Sequence, residues 1–341
     1  MCMYFTKGIN QNGYIMCRYC NMKKYEHLIF MYIYNMTSQC DDIILLIQEY
    51  IKVNNYNSIA IGRYHTIALL QDNTIECWGR NDEGQCDPPD SVQGKVVSIK
   101  CGEFYSCALL DDNTVRCWGY NVCGQCDVPD SIQGKIISVD CSPEHSIALL
   151  NDNTVRCWGS DTWEQRDVPD YIQGKVVSIS CDSGNTMALL NNNTVEYWGV
   201  YFYKQGDPPD SIQGKVLSIN TGHNYSCALL NDNTVKCWGR NDYGQCNVPD
   251  SIQGKVVSVG CGDYYSIALL NDNTVKYWGD NDFGQCNIPD SIQGKVVEIS
   301  CSRIHSCALL NDMTVVCWGR NNHGECNPPD YIQGKIMNKV Q

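Results

Sequence analysis

Apolar and polar residues in this chain alternate over short stretches that are broken every few residues by turn formers. Lys95–Cys101 (KVVSIKC) sets Val97, Ile99 and Cys101 on one face and Ser98 and Lys100 on the other. A period of two is the signature of a strand. Two further apolar runs, Ser106–Leu110 (SCALL) and Thr114–Trp118 (TVRCW), flank Asp111, Asp112 and Asn113. Asp and Asn favour turns because their side chains bond the local backbone and tolerate positive φ. The two runs therefore predict a β-hairpin. A three-residue turn puts Leu109 opposite Val115 and Cys107 opposite Cys117, whereas a two-residue turn would put Leu109 opposite Arg116. The three-residue register keeps like with like, because a slip of one residue turns every side chain to the wrong face.

This block recurs. Trp-Gly stands at Trp78, Trp118, Trp158, Trp198, Trp238, Trp278 and Trp318, always forty residues apart. Behind it come an Asn-x-x-Gly-Gln-Cys turn, Pro-Asp and Ile-Gln-Gly-Lys. Proline is poorly tolerated inside a sheet, so each unit predicts three firm strands and a fourth, weak outer one. Such a sheet is apolar on both faces and needs neighbours on both sides. Radial closure provides them without exposed ends. The chain ends overlap in register: Ser58-Ile59 aligns with Ser98-Ile99, and Ile336-Met337 with Val96-Val97. That predicts closure through a shared blade. The expected fold is all-β, a seven-bladed β-propeller over 56–341 with a short, partly helical N-terminal extension over 1–55.

Composition narrows the function. With 25 Lys/Arg against 38 Asp/Glu and a net charge of −13, no basic patch stands out, so a nucleic-acid partner is not expected. No apolar run reaches the roughly 20 residues of a membrane-spanning helix. The first 20 residues lack the pattern of a signal peptide. The expectation is an intracellular protein, in cytoplasm or nucleus, of a host cell if the source is viral. The abundance of Asn, Ile and Tyr fits an AT-rich genome, such as that of a large DNA virus or a protist. On this reading the 23 cysteines are mostly reduced.

The unit resembles the repeat of the regulator-of-chromosome-condensation family. The matching residues read GRYHTIALLQDNTIECWGRNDEGQ at 62–85 and GHNYSCALLNDNTVKCWGRNDYGQ at 222–245. The resemblance spans all seven units and implies a seven-bladed ring. It also implies exchange of nucleotide on a small GTPase through a wedge inserted in a blade, and docking on chromatin through basic segments, but no repeat here carries an insertion or a basic tail. Other members serve as light sensors, ubiquitin-ligase parts or trafficking modules, so fold alone leaves function open.

Several side chains invite a chemical reading. Cysteines Cys107, Cys227 and Cys307 occupy a column that elsewhere holds Ile or Met, and each faces a second one, Cys117, Cys237 or Cys317. These pairs are either buried thiols acting as small hydrophobes or cross-strand disulfides, which related repeats in exported proteins would favour. Cys17 and Cys20, with Cys2, Cys40 and His27, give half of a zinc-site spacing, and no metal or other cofactor is assigned. Cys123 and Cys126 share one turn. His65, His145 and His305 alternate with Tyr and Asn in one column, as a hydrogen-bonding structural position does. No catalytic constellation is visible, so an enzyme is not expected.

Repeats 3 and 4 depart most in the turn after Trp-Gly, with Asp161-Thr162-Trp163-Glu164-Gln165-Arg166 and Tyr201-Phe202-Tyr203-Lys204-Gln205-Gly206. Trp163, Arg166, Tyr201, Phe202, Tyr203 and Lys204, extended by Tyr171, form a candidate binding cluster, since aromatic and Arg residues are what protein interfaces favour. Divergence of these two repeats without a binding role is the alternative. In the extension, Asp41–Ile51 (DDIILLIQEYI) predicts a short helix that is somewhat like the start of an F-box. The leading expectation is a non-catalytic protein–protein interaction scaffold. The alternatives are a regulator of a small GTPase and an F-box-like substrate receptor of a ubiquitin ligase.

Overall fold

The computed structural model of the chain describes residues 57–199 and 207–338, all within the second of its two units, Lys52–Gln341. The extension, the helix expected at 41–51, the cysteines before residue 57 and the cluster Tyr201–Lys204 lie outside these residues. Seven three-stranded antiparallel sheets follow one another, one per repeat. We number the blades 1 to 7 by their tryptophans, Trp78 to Trp318. In blade 2 the inner strand is Val96–Cys101, the middle strand Tyr105–Leu110 and the outer strand Val115–Gly119. First strands of adjacent blades touch, the first and last blades included, so the sheets form a closed ring with those strands innermost.

The hairpin takes the register expected of it, Leu109 opposite Val115 and Cys107 opposite Cys117. Leu110 N donates to Thr114 O at 2.9 Å, which leaves three residues in the loop. Its last, Asn113, adopts φ 61°, the left-handed position that such a loop requires. Asp112 Oδ1 accepts from Thr114 N at 3.0 Å and from Thr114 Oγ1 at 2.6 Å, so the turn carries its own clamp.

Two expectations need correction. The inner strand does not alternate throughout: a β-bulge falls between Val96 and Ser98. The extra residue returns Val96 to the face of Ile99, and both pack toward blade 1, while Val97 packs toward blade 3. A bulge reverses alternation because two residues oppose one. Nor is there a fourth strand; among the described residues each unit instead has a short 3-10 turn, Asp130–Ile132 in blade 2. Proline on its N-terminal side removes a ladder donor, and Ile132 inserts into the core.

Middle strands explain why the blades stack. Tyr105, Cys107 and Leu109 face the next blade, and Ala148, Leu150 and Trp158 come back from it to form one buried cluster. Each tryptophan also reaches across a seam. Trp118 Nε1 and Ser106 Oγ both donate to the carbonyl of Gln85 in the preceding blade, at 3.0 and 2.9 Å.

Ring closure uses the same parts in a split form. Blade 1 takes Ile59–Ile61 from one end of the ring and pairs Leu70 with Ile336 from the other. Met337 N donates to Leu69 O, and Leu69 N to Ser58 O, each at 2.8 Å. The break between the two contributions falls where the other six inner strands have their bulge. Trp78 Nε1 donates to Glu325 O at 3.0 Å, the same bond made across the closing seam. In the column of Ser98, blade 7 alone has an acid. Glu298 Oε1 accepts from the backbone N–H of Ser58 at 2.9 Å and of Ile59 at 3.2 Å.

The structure joins Cys107 to Cys117, Cys227 to Cys237 and Cys307 to Cys317 as disulfides, with Cα separations of 4.1, 4.1 and 4.0 Å. Of the two states that the sequence left open, it shows the bonded one. Such short separations belong to directly opposed residues of an antiparallel pair that lack mutual backbone bonds.

Candidate functional site

The two faces of the ring are built differently. One consists of the hairpin turns and the starts of the inner strands. Its parts barely change from blade to blade: Lys95, Lys135, Lys175, Lys215, Lys255, Lys295 and Lys335 hold one column, and Asx-Thr clamps recur in every turn. The other face is made by the loop between inner and middle strands and the turn after the outer strand. Hydrogen bonds such as Tyr120 N to Phe104 O at 3.0 Å hold these two segments side by side. Here neighbouring copies differ.

Column by column, that second face is rich in aromatic rings. The turn position that is Glu83 and Cys123 in blades 1 and 2 becomes Trp163, Tyr243, Phe283 and His323 in blades 3, 5, 6 and 7. Trp163, Tyr243 and Phe283 are 48%, 47% and 47% exposed, well above what a core aromatic retains. Beside them stand Arg80, Arg240 and Arg320 and, from the other loop, Arg63, Tyr64, Phe104 and Tyr264. Contacts run across seams: Tyr243 meets Tyr264 with ring centroids 4.9 Å apart, and Tyr64 meets His323 at 5.1 Å. Arg320 lies 5.4 Å from the Phe283 centroid and 5.6 Å from that of Tyr64. An arc of guanidinium and aromatic side chains thus extends from blade 5 through blades 6, 7 and 1 to Phe104 and Tyr120 of blade 2.

The turn that carries these side chains is self-supporting. In blade 2 Asn121 Oδ1 accepts from Cys126 N at 2.7 Å and Gln125 Oε1 from Cys123 N at 3.0 Å. Blade 3 keeps the frame in spite of its altered sequence. Asp161 Oδ1 accepts from Arg166 N at 3.2 Å, and Gln165 Oε1 from Trp163 N at 2.7 Å. Glu164 even adopts φ 58° where blades 1, 2, 5, 6 and 7 have glycine. Trp163 and Arg166 are therefore exposed on an intact turn. Tyr171 is placed elsewhere: its hydroxyl donates to Glu196 Oε2 at 2.7 Å on the outer strand of blade 4. The structure does not bring it together with Trp163.

At the inner edge of this face lie carboxylates. Burial, reinforced by the Asp263 charge, holds Asp182 well above the usual carboxylate range. Burial likewise raises Asp263 to about 6 against the pull of Arg303, whose Nε is 3.0 Å away. Glu103 pairs with Arg63, and lower in the channel Lys100 Nζ meets Asp140 Oδ1 at 3.1 Å.

Other marked residues are structural. His65 Nε2 lies 3.0 Å from Ser106 Oγ, whose own proton goes to Gln85 O, so the imidazole is the donor. Burial lowers His65 and His305 to about 3 and His145 to about 4, which keeps all three neutral. Cys126 donates to Tyr120 O at 3.5 Å, and burial pushes its thiol up to about 12, opposite to the shift of a redox-active cysteine. Sequence reasoning found the aromatic turn in repeats 3 and 4 but passed over Tyr243, Phe283 and His323. Reading that one turn position down all seven repeats would have exposed them; Tyr64, Phe104 and the arginines join only through the fold.

The ring thus defines a repeat-built, seven-bladed β-propeller with one uniform and one diversified face. The chain belongs to the regulator of chromosome condensation (RCC1) repeat family, whose sequence profile matches residues 57–85, 96–125, 136–162, 216–245, 256–285 and 296–325. Blade 4, with its divergent turn, is the unmatched unit. No curated protein matches the chain significantly in sequence. Among solved structures it is similar to the ectodomain of the Arabidopsis thaliana receptor kinase ACR4, with 23% identity and a TM-score of 0.62, covering 77% of this chain and 95% of that one. The ectodomain of the Physcomitrella patens receptor kinase CR4 gives 22% and 0.63, over 77% and 73%. Human WBSCR16 gives 18% and 0.60, over 74% and 86%. At these identities the likeness is one of fold. Among the described residues no helix is long and apolar enough to cross a membrane.

Proposed function

We propose that this chain is a non-catalytic interaction scaffold that takes a protein partner on its diversified face. The observation that carries this is the exposed arginine–aromatic arc from blade 5 to blade 2, set against an opposite face built alike seven times. Rigid aromatics lose little conformational freedom on contact, and aromatics and arginines dominate binding energy at protein interfaces. Forty-residue repeats supply the rigid frame, and one turn position per repeat supplies the variation. Trp163 and Arg166 extend the surface on blade 3, and the turn containing Phe202 follows them in sequence.

Affinity capture with the full chain tests this reading. Trp163→Ala, Tyr243→Ala and Phe283→Ala together should abolish retention of the proteins that the wild type holds, with an unchanged melting curve. Changing Lys135, Lys175 and Lys255 to Gln on the opposite face should leave capture intact. Capture that survives the aromatic substitutions would refute the assignment. Recovery of a small GTPase or of a ligase scaffold would decide between the two regulatory alternatives.

A further inference from the structure

We infer that the sector between blades 7 and 1 binds acidic protein segments, with Arg63, Arg80 and Arg320 receiving their carboxylates. This rests on reading the diversified face as a protein-binding surface and adds the chemistry of what is bound there.

The geometry is unusual within this chain. Three guanidiniums gather around one ring: the central carbons of Arg63, Arg80 and Arg320 lie 5.1, 5.6 and 5.6 Å from the centroid of Tyr64. Arg63 and Arg80 also lie 5.9 and 5.5 Å from the Phe104 centroid, and His323 closes the fourth side of Tyr64. Like charges repel, and aromatic faces offset only part of this. The protein's own acids neutralise two of the three. Arg63 pairs with Glu103, and Arg80 Nε with Asp82 Oδ2 at 2.7 Å. Arg320 is different: Nε and Nη2 lie 3.0 Å from the side-chain amide of Asn322, whose oxygen accepts from both once the amide is turned toward them. Among the described residues no carboxylate lies within ion-pair reach of it. One guanidinium of the three is therefore left without an ion pair, on a chain of net charge −13.

Size and surroundings select the ligand. Guanidiniums collected around a single ring span one or two side-chain carboxylates, and their planar forks match a carboxylate with two parallel hydrogen bonds. They do not track a nucleic-acid backbone, which takes a continuous row of cations. Rings beside the forks suit a peptide, whose apolar side chains can lie on Tyr64 and Phe104 while its acids reach Arg320 and Arg80. Blade 5 repeats the Arg80–Asp82 pair as Arg240 and Asp242, also at 2.7 Å, but among the described residues no second and third guanidinium gather on its ring.

Fluorescence anisotropy with the full chain and a labelled oligoglutamate peptide tests the inference. Binding should saturate, weaken with added salt, and fall about tenfold in Arg320→Gln with Arg80→Gln, equivalent to about 1.4 kcal/mol. Arg240→Gln should change it less than about twofold. If the double variant does not fold, Arg320→Gln alone carries the test, since its guanidinium holds no ion pair in the ring. Failure of the wild type to bind oligoglutamate, equal weakening by Arg240→Gln, or tighter binding of an RNA oligomer of the same charge would each overturn the inference. If oligoglutamate does not bind while capture of partners still depends on Trp163, Tyr243 and Phe283, the acidic-segment inference fails and the face assignment stands.

Discussion

The column of His65, Tyr105, His145, Asn185, Tyr225, Tyr265 and His305 shows how single residues adapt inside an otherwise uniform repeat. The histidines and tyrosines each reach the next blade; Tyr105 OH, for instance, donates to His145 O at 2.9 Å. A tyrosine there requires glycine three residues earlier, because a Cβ on Gly102 would lie 1.9 Å from the Tyr105 ring. A histidine leaves room for Ser142, whose Oγ lies 2.6 Å from His145 Nδ1. Burial has a consequence for acid stability. Unfolded histidine takes a proton near pH 6.5, whereas these three hold out to about 3 or 4. The unfolded chain therefore binds more protons in that window, and stability drops as pH falls below about 6.5. The raised carboxyls Asp182 and Asp263 act in the opposite sense, each losing its contribution as pH rises through its raised value, about 6 for Asp263, and offset part of the effect. Between neutrality and pH 5 each histidine should cost roughly 1–2 kcal/mol. Urea titrations across that range should show the loss, and Ser142→Gly with His145→Tyr, which copies the Gly102/Tyr105 pair, should reduce it by about a third. Backbone strain gives a second residue-scale outcome. Glu164→Gly relieves a left-handed non-glycine residue and should stabilise the chain by about 0.5–1 kcal/mol, without loss of partner capture.

At the scale of elements, the hairpin was legible because its apolar column faces its apolar column, and only a three-residue turn allows that. The bulge was not legible. It leaves the composition of the strand unchanged and shows itself only in which side of the blade Val96 and Val97 enter. The disulfides sit at the centre of three such hairpins, each closing a loop with a sequence separation of 10. A cross-link of that span stabilises by about 2–3 kcal/mol. Urea unfolding with and without a thiol reductant should show losses of that size for each bonded pair. The effect of Cys227→Ile should be milder than that of Cys227→Ala, since Ile267 opposite Tyr277 already packs the same position in the next blade.

For the whole molecule, closure is the step on which every blade depends. Seven sheets with two apolar faces leave two faces uncovered until the last meets the first. The chain seals that seam with Ile336, fully buried in the cluster shared by blades 7 and 1, and with Glu298 on the backbone of blade 1. Ile336→Ala should cost about 2–4 kcal/mol. Glu298→Ala should cost about 2 kcal/mol, because it leaves two N–H donors at the seam without their carboxylate. Chemical denaturation should show both as losses to the ring as a unit, and an effect confined to blade 1 would contradict closure as the common support.

Local pattern determined the number of blades, the hairpin register, the shared first blade and the structural part played by histidines and most cysteines. These follow from which residues can share a face and from a period that never slips, so a linear reading suffices. The tertiary structure alone decided that inner-strand loops and outer-strand turns meet on one side of the ring. Phe104 and Tyr64, 40 apart in sequence, meet where adjacent blades stack, and Arg320 and Tyr64, 256 apart, become neighbours only when the circle closes. Their proximity depends on curvature summed over all seven blades, and no single repeat encodes it.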